Sequence, residues 1–483
     1  MRHELAALTL GCALAAAHGA AADDALVLTG DPYPDHVVIA VSVPDARSVT
    51  WRIRTPGGAR WRTRTERRVS AGDAPVAGGD DVAQADLGGL LPGTTYEYEV
   101  WAEDPGARSS ARRASGRVTT APSPSAAVAV RFAWGGDLGG QNLCRPAGGR
   151  YPIFDALNRE RLDFFIGLGD MIYADGACEA RGKYGDAQEP VAVSPARSLQ
   201  DFRARWRYQF SDPGLRALVA RAPYVAVWDD HEVENDFDSA DALMPMGLRA
   251  FLEYSPIAAR PGNSRRLYRS FTFGRNLQVF VLDLRQYRDL NAAVDSAEKP
   301  KTMLGREQRD WLLRELQRSR ATWKIIISSV SLSIPTVGPN EARPDGWANG
   351  ATDKGFEREL VALVQRLHAS RVRNLVWLAT DVHFATGFRE RPISGDPGWT
   401  MYEFESGPMN AGLFPNRRLD DTLAPERLFF LGPESAETPR SLEEARRYFN
   451  YGVVAIDAAG RLSVGIRDVS GQPVYELALT PQG

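Results

Sequence analysis

The chain has no apolar run approaching the roughly 18 residues that a membrane-crossing helix needs, only three cysteines in 483 residues, and no surplus of positive charge. Each lack removes a class of function. No transmembrane segment is predicted. Fifty-eight Lys plus Arg stand against 61 Asp plus Glu, a formal net charge of −3, so no global field exists to hold a nucleic acid or an anionic membrane. A dedicated nucleic-acid reader is therefore not expected, and an anionic substrate would have to be gripped locally. No Cys-x-x-Cys pair occurs, which removes zinc ribbons and thioredoxin-like redox motifs. No Gly-x-Ser-x-Gly elbow occurs either, which disfavours a serine hydrolase.

What is present reads as a globular protein of more than one domain, 43% hydrophobic and 25% charged, with disordered and fibrous classes excluded. Arg2 and His3 precede the apolar run Leu5 to Ala17 and the small residues Ala20-Ala21-Ala22, the order of a secretory signal peptide. Residues 1–22 are thus expected to be a signal, and the mature chain to be exported, periplasmic or secreted. Its loss leaves Cys144 and Cys178, open to a disulfide, a free thiol or a metal ligand. From 25 to 120, short β-branched or alternating runs such as His36 to Val41 and Tyr96 to Trp101 predict an antiparallel β-sandwich. A Pro/Ser-rich stretch, Thr119 to Ala126, marks the boundary. From 127 to 483, buried runs alternate with helical patterns, predicting a layered α/β domain whose last strands extend its sheets.

The chemistry is predicted where those buried runs end. Val128 to Trp134 leads into Asp137, and Phe164 to Leu168 into Gly169-Asp170-Met171-Ile172-Tyr173. Tyr224 to Trp228 leads into Asp229-Asp230-His231-Glu232, with Asn235 close behind, and Leu375 to Thr380 into Asp381-Val382-His383. One Gly-Asp after a strand is ordinarily a turn, but four acidic exits converge on one crevice in an open α/β sheet. Packed together, such carboxylates repel and lose hydration unless cations neutralise them. Of six histidines, only His231 and His383 fall in this pattern. Carboxylate and phenolate oxygens with one or two imidazoles suit hard ions such as Fe3+, Ca2+, Mn2+ or Mg2+.

These blocks, together with Leu282-Asp283-Leu284-Arg285-Gln286-Tyr287-Arg288 and Leu304 to Leu312, resemble the signatures of PhoD-type alkaline phosphatases over residues 127 to 470. The N-terminal sandwich is also typical of that family. More distantly, the pattern is similar to calcineurin-like and purple acid phosphatases. The resemblance implies a four-layer metallophosphoesterase sandwich of two mixed sheets flanked by helices, preceded by a fibronectin-like sandwich. It implies two or more metal ions, Fe3+ with Ca2+. Asp170 would bridge them, Asp137, Tyr173 and His383 would serve one, and Asp230 and Asp381 the other. This chain departs from the pattern in placing Gly136-Asp137 where relatives carry Ser-Cys, with Cys144 a possible substitute ligand. Asp230 takes an asparagine's place, and Asp345 to Gly350 replaces an Asp-x-Trp-Asp-Gly-Tyr block.

The activity implied is hydrolysis of phosphate esters, small or polymeric, by a metal-activated hydroxide. His231 is the candidate proton donor to the leaving alcohol. Arg285 reads equally as a phosphate contact or as an ion-pair partner, and Asn235 as a metal ligand or a phosphate contact. A monomer is expected. Two rival readings are a phosphodiesterase on the same centre and a non-catalytic exported protein that binds a surface polymer.

Overall fold

The computed structural model describes residues 25–482 other than 45, 68–81, 105–108, 192–193, 259–262, 337–344, 351 and 436; the expected signal, 1–22, lies outside the described residues. The first strands are β1 (Val27–Thr29), β2 (His36–Ser42), β3 (Ser48–Arg54), β4 (Arg62–Arg67), β5 (Val82–Gly88), β6 (Thr95–Glu103) and β7 (Ala111–Thr119). They pair as a three-stranded sheet, β1-β2-β5, and a four-stranded sheet, β4-β3-β6-β7. Two-residue periodicity decides the faces. In β6, Tyr96, Tyr98, Val100 and Ala102 are buried while the residues between them are half-buried. Those four share one apolar cluster with Val37, Ile39 and Val41 of β2, so the two sheets face each other.

The chain then runs β8 (Val130–Gly135), α1 (Ile153–Leu157), β9 (Phe164–Leu168), α2 (Leu199–Phe210), α3 (Pro213–Arg221), β10 (Tyr224–Val227), α4 (Met244–Tyr254), β11 (Arg269–Phe273) and β12 (Leu277–Val281). It continues through α5 (Gly305–Arg318), β13 (Trp323–Ile327), α6 (Glu357–Ala369), β14 (Leu375–Ala379), β15 (Ala385–Glu390), β16 (Met401–Glu405), β17 (Pro425–Leu431), α7 (Leu442–Arg446), β18 (Asn450–Ile456), β19 (Leu462–Asp468) and β20 (Pro473–Leu479). Local chemistry sets the helix starts. Ser198 and Asp201 form a capping box for α2, and Asp212 accepts the amides of Gly214 and Leu215 ahead of Pro213 in α3.

These strands make a mixed α/β fold of two sheets, ordered β10-β9-β8-β18-β19-β20 and β11-β12-β13-β14-β16-β15-β17. In the first, β8, β9 and β10 run parallel; in the second, β12, β13, β14 and β16 do. Every residue of β9 and of β14 is buried, as strands covered on both faces require. One cluster, with Ile166, Val225, Val279, Ile325 and Val376, fills the space between the sheets. Helices α1 to α4 cover the outer face of the first sheet, and α5 and α6 that of the second. The C-terminal strands β18 to β20 extend the first sheet.

A buried ion pair joins the N-terminal strands to the rest. Arg269, at the start of β11, donates from Nε to Asp31 Oδ2 at 2.5 Å and from Nη2 to Asp31 Oδ1 at 2.8 Å. The same Nη2 donates to the Ala226 carbonyl of β10 at 2.9 Å. Both side chains are at most 2% exposed. Removing one partner strands the other charge out of water, so Asp31→Ala should destabilise the fold by about 3–5 kcal/mol. Urea unfolding would measure this, and a loss below 1 kcal/mol would mean that the pair is not desolvated as described.

Candidate metal centre

The parallel strands of both sheets end on one side of the molecule, and their exits meet. From the first sheet come Asp137 after β8, Asp170 and Tyr173 after β9, and Asp229, Asp230 and His231 after β10; from the second come Asp381 and His383 after β14. Ligand atoms of Asp137, Asp170 and His383 lie within 4.8 Å of one another, as do those of Asp170, Asp230 and His231, and those of Asp229, Asp230 and Asp381. Tyr173 Oη is 3.0 Å from His383 Nε2. Asp137, Asp170, Asp230, Tyr173, Asp381 and His383 are thus brought together.

The backbone reaches this geometry at some strain. Asp137, Asp170, Asp381 and His383 have φ of 56°, 51°, 76° and 58°, a left-handed conformation that L residues adopt at a cost and that clusters at functional sites. The exits also crowd one another. Gly169 has φ of 78°, and a Cβ there would lie 2.7 Å from Asp229 Cβ.

Asp137, Asp170 and Asp230 are at most 2% exposed. Neither oxygen of Asp137 has a hydrogen-bond partner, nor do Asp170 Oδ2 and Asp229 Oδ2. Burial, then the charges of neighbouring carboxylates, push the Asp170 and Asp381 carboxyls well above the usual range. Burial and the same carboxylates push the Tyr173 phenol up as well. Burial holds His383 down at about 3, a neutral imidazole whose Nδ1 faces the Gly412 carbonyl and whose Nε2 faces the cluster. Oxygen atoms without donors, beside a neutral imidazole and a phenol, fit hard cations.

His231 is held differently. Burial lowers its pKa, but the charges of Asp230 and Asp175 outweigh this and raise it to about 10. Its Nδ1 is 2.8 Å from Asp175 Oδ1, and Asp175 Oδ2 accepts the Asn235 amide at 2.9 Å. The Asn235 side chain itself is exposed. Arg285 has the ion-pair alternative: it donates from Nε to Asp229 at 2.7 Å and from Nη2 to Asp345 at 2.8 Å, leaving Nη1 without a partner. Cys144 is bonded to Cys178, which removes it as a substitute ligand.

Four participants were not singled out from the sequence. Asp175 lies five residues past Asp170, a spacing that gave no signal in a loop. Asp236 and Asp345 come within 4.8 Å of Asp230, Asp345 from the distant segment that was matched only loosely. Glu232 belongs to the Asp229-Asp230-His231 exit but was given no role from the sequence, and its residue is 0% exposed.

Comparison with known proteins bears on the same segments. The PhoD-like phosphatase family matches residues 132–457. Alkaline phosphatase D of Bacillus subtilis (strain 168) is 31% identical over 261 residues, 49% of this chain and 43% of that protein, so the chain spans less than half the length of this curated relative. A solved structure of PhoD matches with a TM-score of 0.70 at 22% identity, over 94% of this chain and 88% of that one.

The charge imbalance makes a test with opposite signs in two states. In chelator-treated protein, Asp170→Asn removes one repelling charge and should raise stability by about 1–2 kcal/mol. In cation-loaded protein the same change removes a ligand and should lower it. Thermal melts with and without added Mn2+ would show the reversal; shifts of equal sign would refute the cation-binding role.

Proposed function

The chain belongs to the PhoD-like phosphatase family, and from that membership and its buried acidic centre we propose that it is an exported, metal-dependent phosphoesterase. The observation that carries the reading is the convergence of carboxylate oxygens without donors at the ends of strands from two sheets. We read residues 25–120 as a fibronectin-like sandwich domain and 127–483 as a four-layer metallophosphoesterase domain. The Cys144–Cys178 disulfide suits an oxidising compartment.

Asp137, Tyr173 and His383 would hold one cation, Asp230 and Asp381 a second, with Asp170 shared between them; the phenol favours Fe3+ at the first, and the carboxylates favour Ca2+, or else Mn2+ or Mg2+, at the second. Cations held there supply Lewis acidity toward phosphate oxygens and acidify a water. The remaining work falls to the chain's own groups. His231, protonated and oriented through Nδ1 by Asp175, donates a proton to the departing alkoxide. The exposure of Asn235 supports a contact with a phosphate oxygen rather than with a buried cation. Arg285 offsets Asp229 and Asp345, and only its Nη1 remains for an anion.

Asp170→Ala should abolish hydrolysis of p-nitrophenyl phosphate and lower bound metal together, read by elemental analysis of the same preparation. His231→Ala should keep its metals while kcat falls about 10²–10⁴-fold, the usual contribution of a positioned acid. Full activity in Asp170→Ala would sink the proposal. A preference for bis-p-nitrophenyl phosphate over the monoester would make the enzyme a diesterase on the same centre.

A further inference from the structure

The parallel ladder of β9 and β10 pairs Leu168 with Val227 as its last partners, and Gly169 N still reaches the Val227 carbonyl at 3.2 Å. Beyond it the strands give way to the acidic turns, and their next amides have no ladder partner to bond. Three of them converge on one side chain. Glu232 Oε2 accepts from Asp170 N at 3.1 Å and from Asp229 N at 2.7 Å, and Oε1 accepts from Met171 N at 2.8 Å. All three bonds are buried. The carboxylate therefore replaces the missing rung, tying together two turns that lie 59 residues apart in the chain and that carry Asp170 on one side and Asp229 and Asp230 on the other.

An acceptor of this kind has to satisfy two conditions. To join the turns it needs one oxygen shared by the Asp170 and Asp229 amides and enough reach to place it there from Glu232's position in the chain; the second oxygen serves the Met171 amide. Aspartate has the charge and both oxygens but is one methylene shorter. Glutamine has the reach but one oxygen; set at the Oε2 position it keeps the Asp170 and Asp229 bonds and turns an NH2 toward the Met171 amide. Alanine keeps none. A buried negative charge beside Asp170, Asp229 and Asp230 is also an expensive way to satisfy three amides, and the expense is recovered where the turns it joins receive cations.

We propose that Glu232 is a positioning residue of the centre, setting the separation between the Asp170 turn and the Asp229-Asp230 turn by bonding the backbone of both, without itself touching cation or substrate. The inference rests on the metal-dependent reading above.

The test uses the full chain, stripped with chelator and titrated with Mn2+, with uptake followed by the free Mn2+ electron-spin signal. Glu232→Gln should bind Mn2+ within about threefold of the parent, whereas Glu232→Asp and Glu232→Ala should bind at least tenfold more weakly. At saturating Mn2+, Glu232→Asp should lose kcat on p-nitrophenyl phosphate at least tenfold with KM changed less than threefold. If Glu232→Ala fails to fold, Glu232→Asp, which keeps the charge, decides alone. Parent-like Mn2+ affinity in Glu232→Asp, with only the stripped protein's melting point lowered, would reduce Glu232 to a packing role and overturn the inference. Absence of Mn2+ uptake by the parent would instead overturn the metal-dependent reading on which it rests.

Discussion

Electrostatic repulsion among buried carboxylates is the constraint around which the rest of this structure is arranged. Asp137, Asp170, Asp229, Asp230 and Asp381 fall into overlapping groups less than 4.8 Å across. Among the described residues, Arg285 is the one guanidinium hydrogen-bonded into this region, through Asp229 and Asp345. Two like charges some 4 Å apart repel by on the order of 4 kcal/mol at an effective dielectric near 20. One arginine and a protonated His231, itself shared with Asp175, do not balance several such pairs. Either protons or cations must, and protons would leave a set of neutral acids with no electrophile to offer an ester. The donor-free oxygens of Asp137 and Asp170 point the balance toward cations.

Holding such a centre together before it is neutralised requires stitching between the sheets, and the polar contacts at the strand exits supply it. The Thr380 hydroxyl, after β14, donates to the Leu168 carbonyl of β9 at 2.6 Å. Ser329, after β13, donates to Asp229 Oδ1 at 2.6 Å. Trp228 Nε1, after β10, donates to Asp283 Oδ1, beyond β12, at 2.9 Å. Each bond joins one sheet to the other, so the left-handed turns are over-determined by neighbours, and that is the condition under which strained backbone persists. The apolar cluster between the sheets brings the layers together; the exit contacts decide the register at which they meet.

How much of this could be read from the chain alone follows from the same division. Asp137, Asp170, Asp230 and Asp381 stood out because each ends an abrupt apolar run, and a fully buried parallel strand has such a run as its signature. Glu232 was visible in the Asp229-Asp230-His231-Glu232 exit but its role was not, because side-chain-to-backbone bonds across two turns leave no periodic trace. Strands β15 and β16 also escaped notice. They carry Glu390, Glu403 and Glu405, all 0% exposed, which break the apolar pattern. The partners that make two of them tolerable, Ser333 for Glu390 and Ser331 with the Leu332 amide for Glu403, lie on a distant loop. Arg285 showed its ambiguity correctly: the residue type suits either phosphate or carboxylate, and only coordinates decide which is within reach.

The N-terminal sheets bear on the centre through β10. Arg269 satisfies its guanidinium with Asp31, the Leu267 carbonyl and the Ala226 carbonyl, and Ala226 lies three residues ahead of Asp229 in the same strand and exit. β1 packs on α3, and β5 on α4. Residues of those two helices share a cluster with Phe165, Tyr224 and Ala226 of β9 and β10. A sheet that was merely tethered would show neither a buried bidentate pair nor a shared apolar cluster. The N-terminal strands therefore belong to the support of β9 and β10, the two strands whose exits carry Asp170 and Asp230. Because Arg269 itself opens β11 of the opposite sheet, the same pair also ties the N-terminal strands to the layer from which Asp381 hangs, so they brace both sides of the centre.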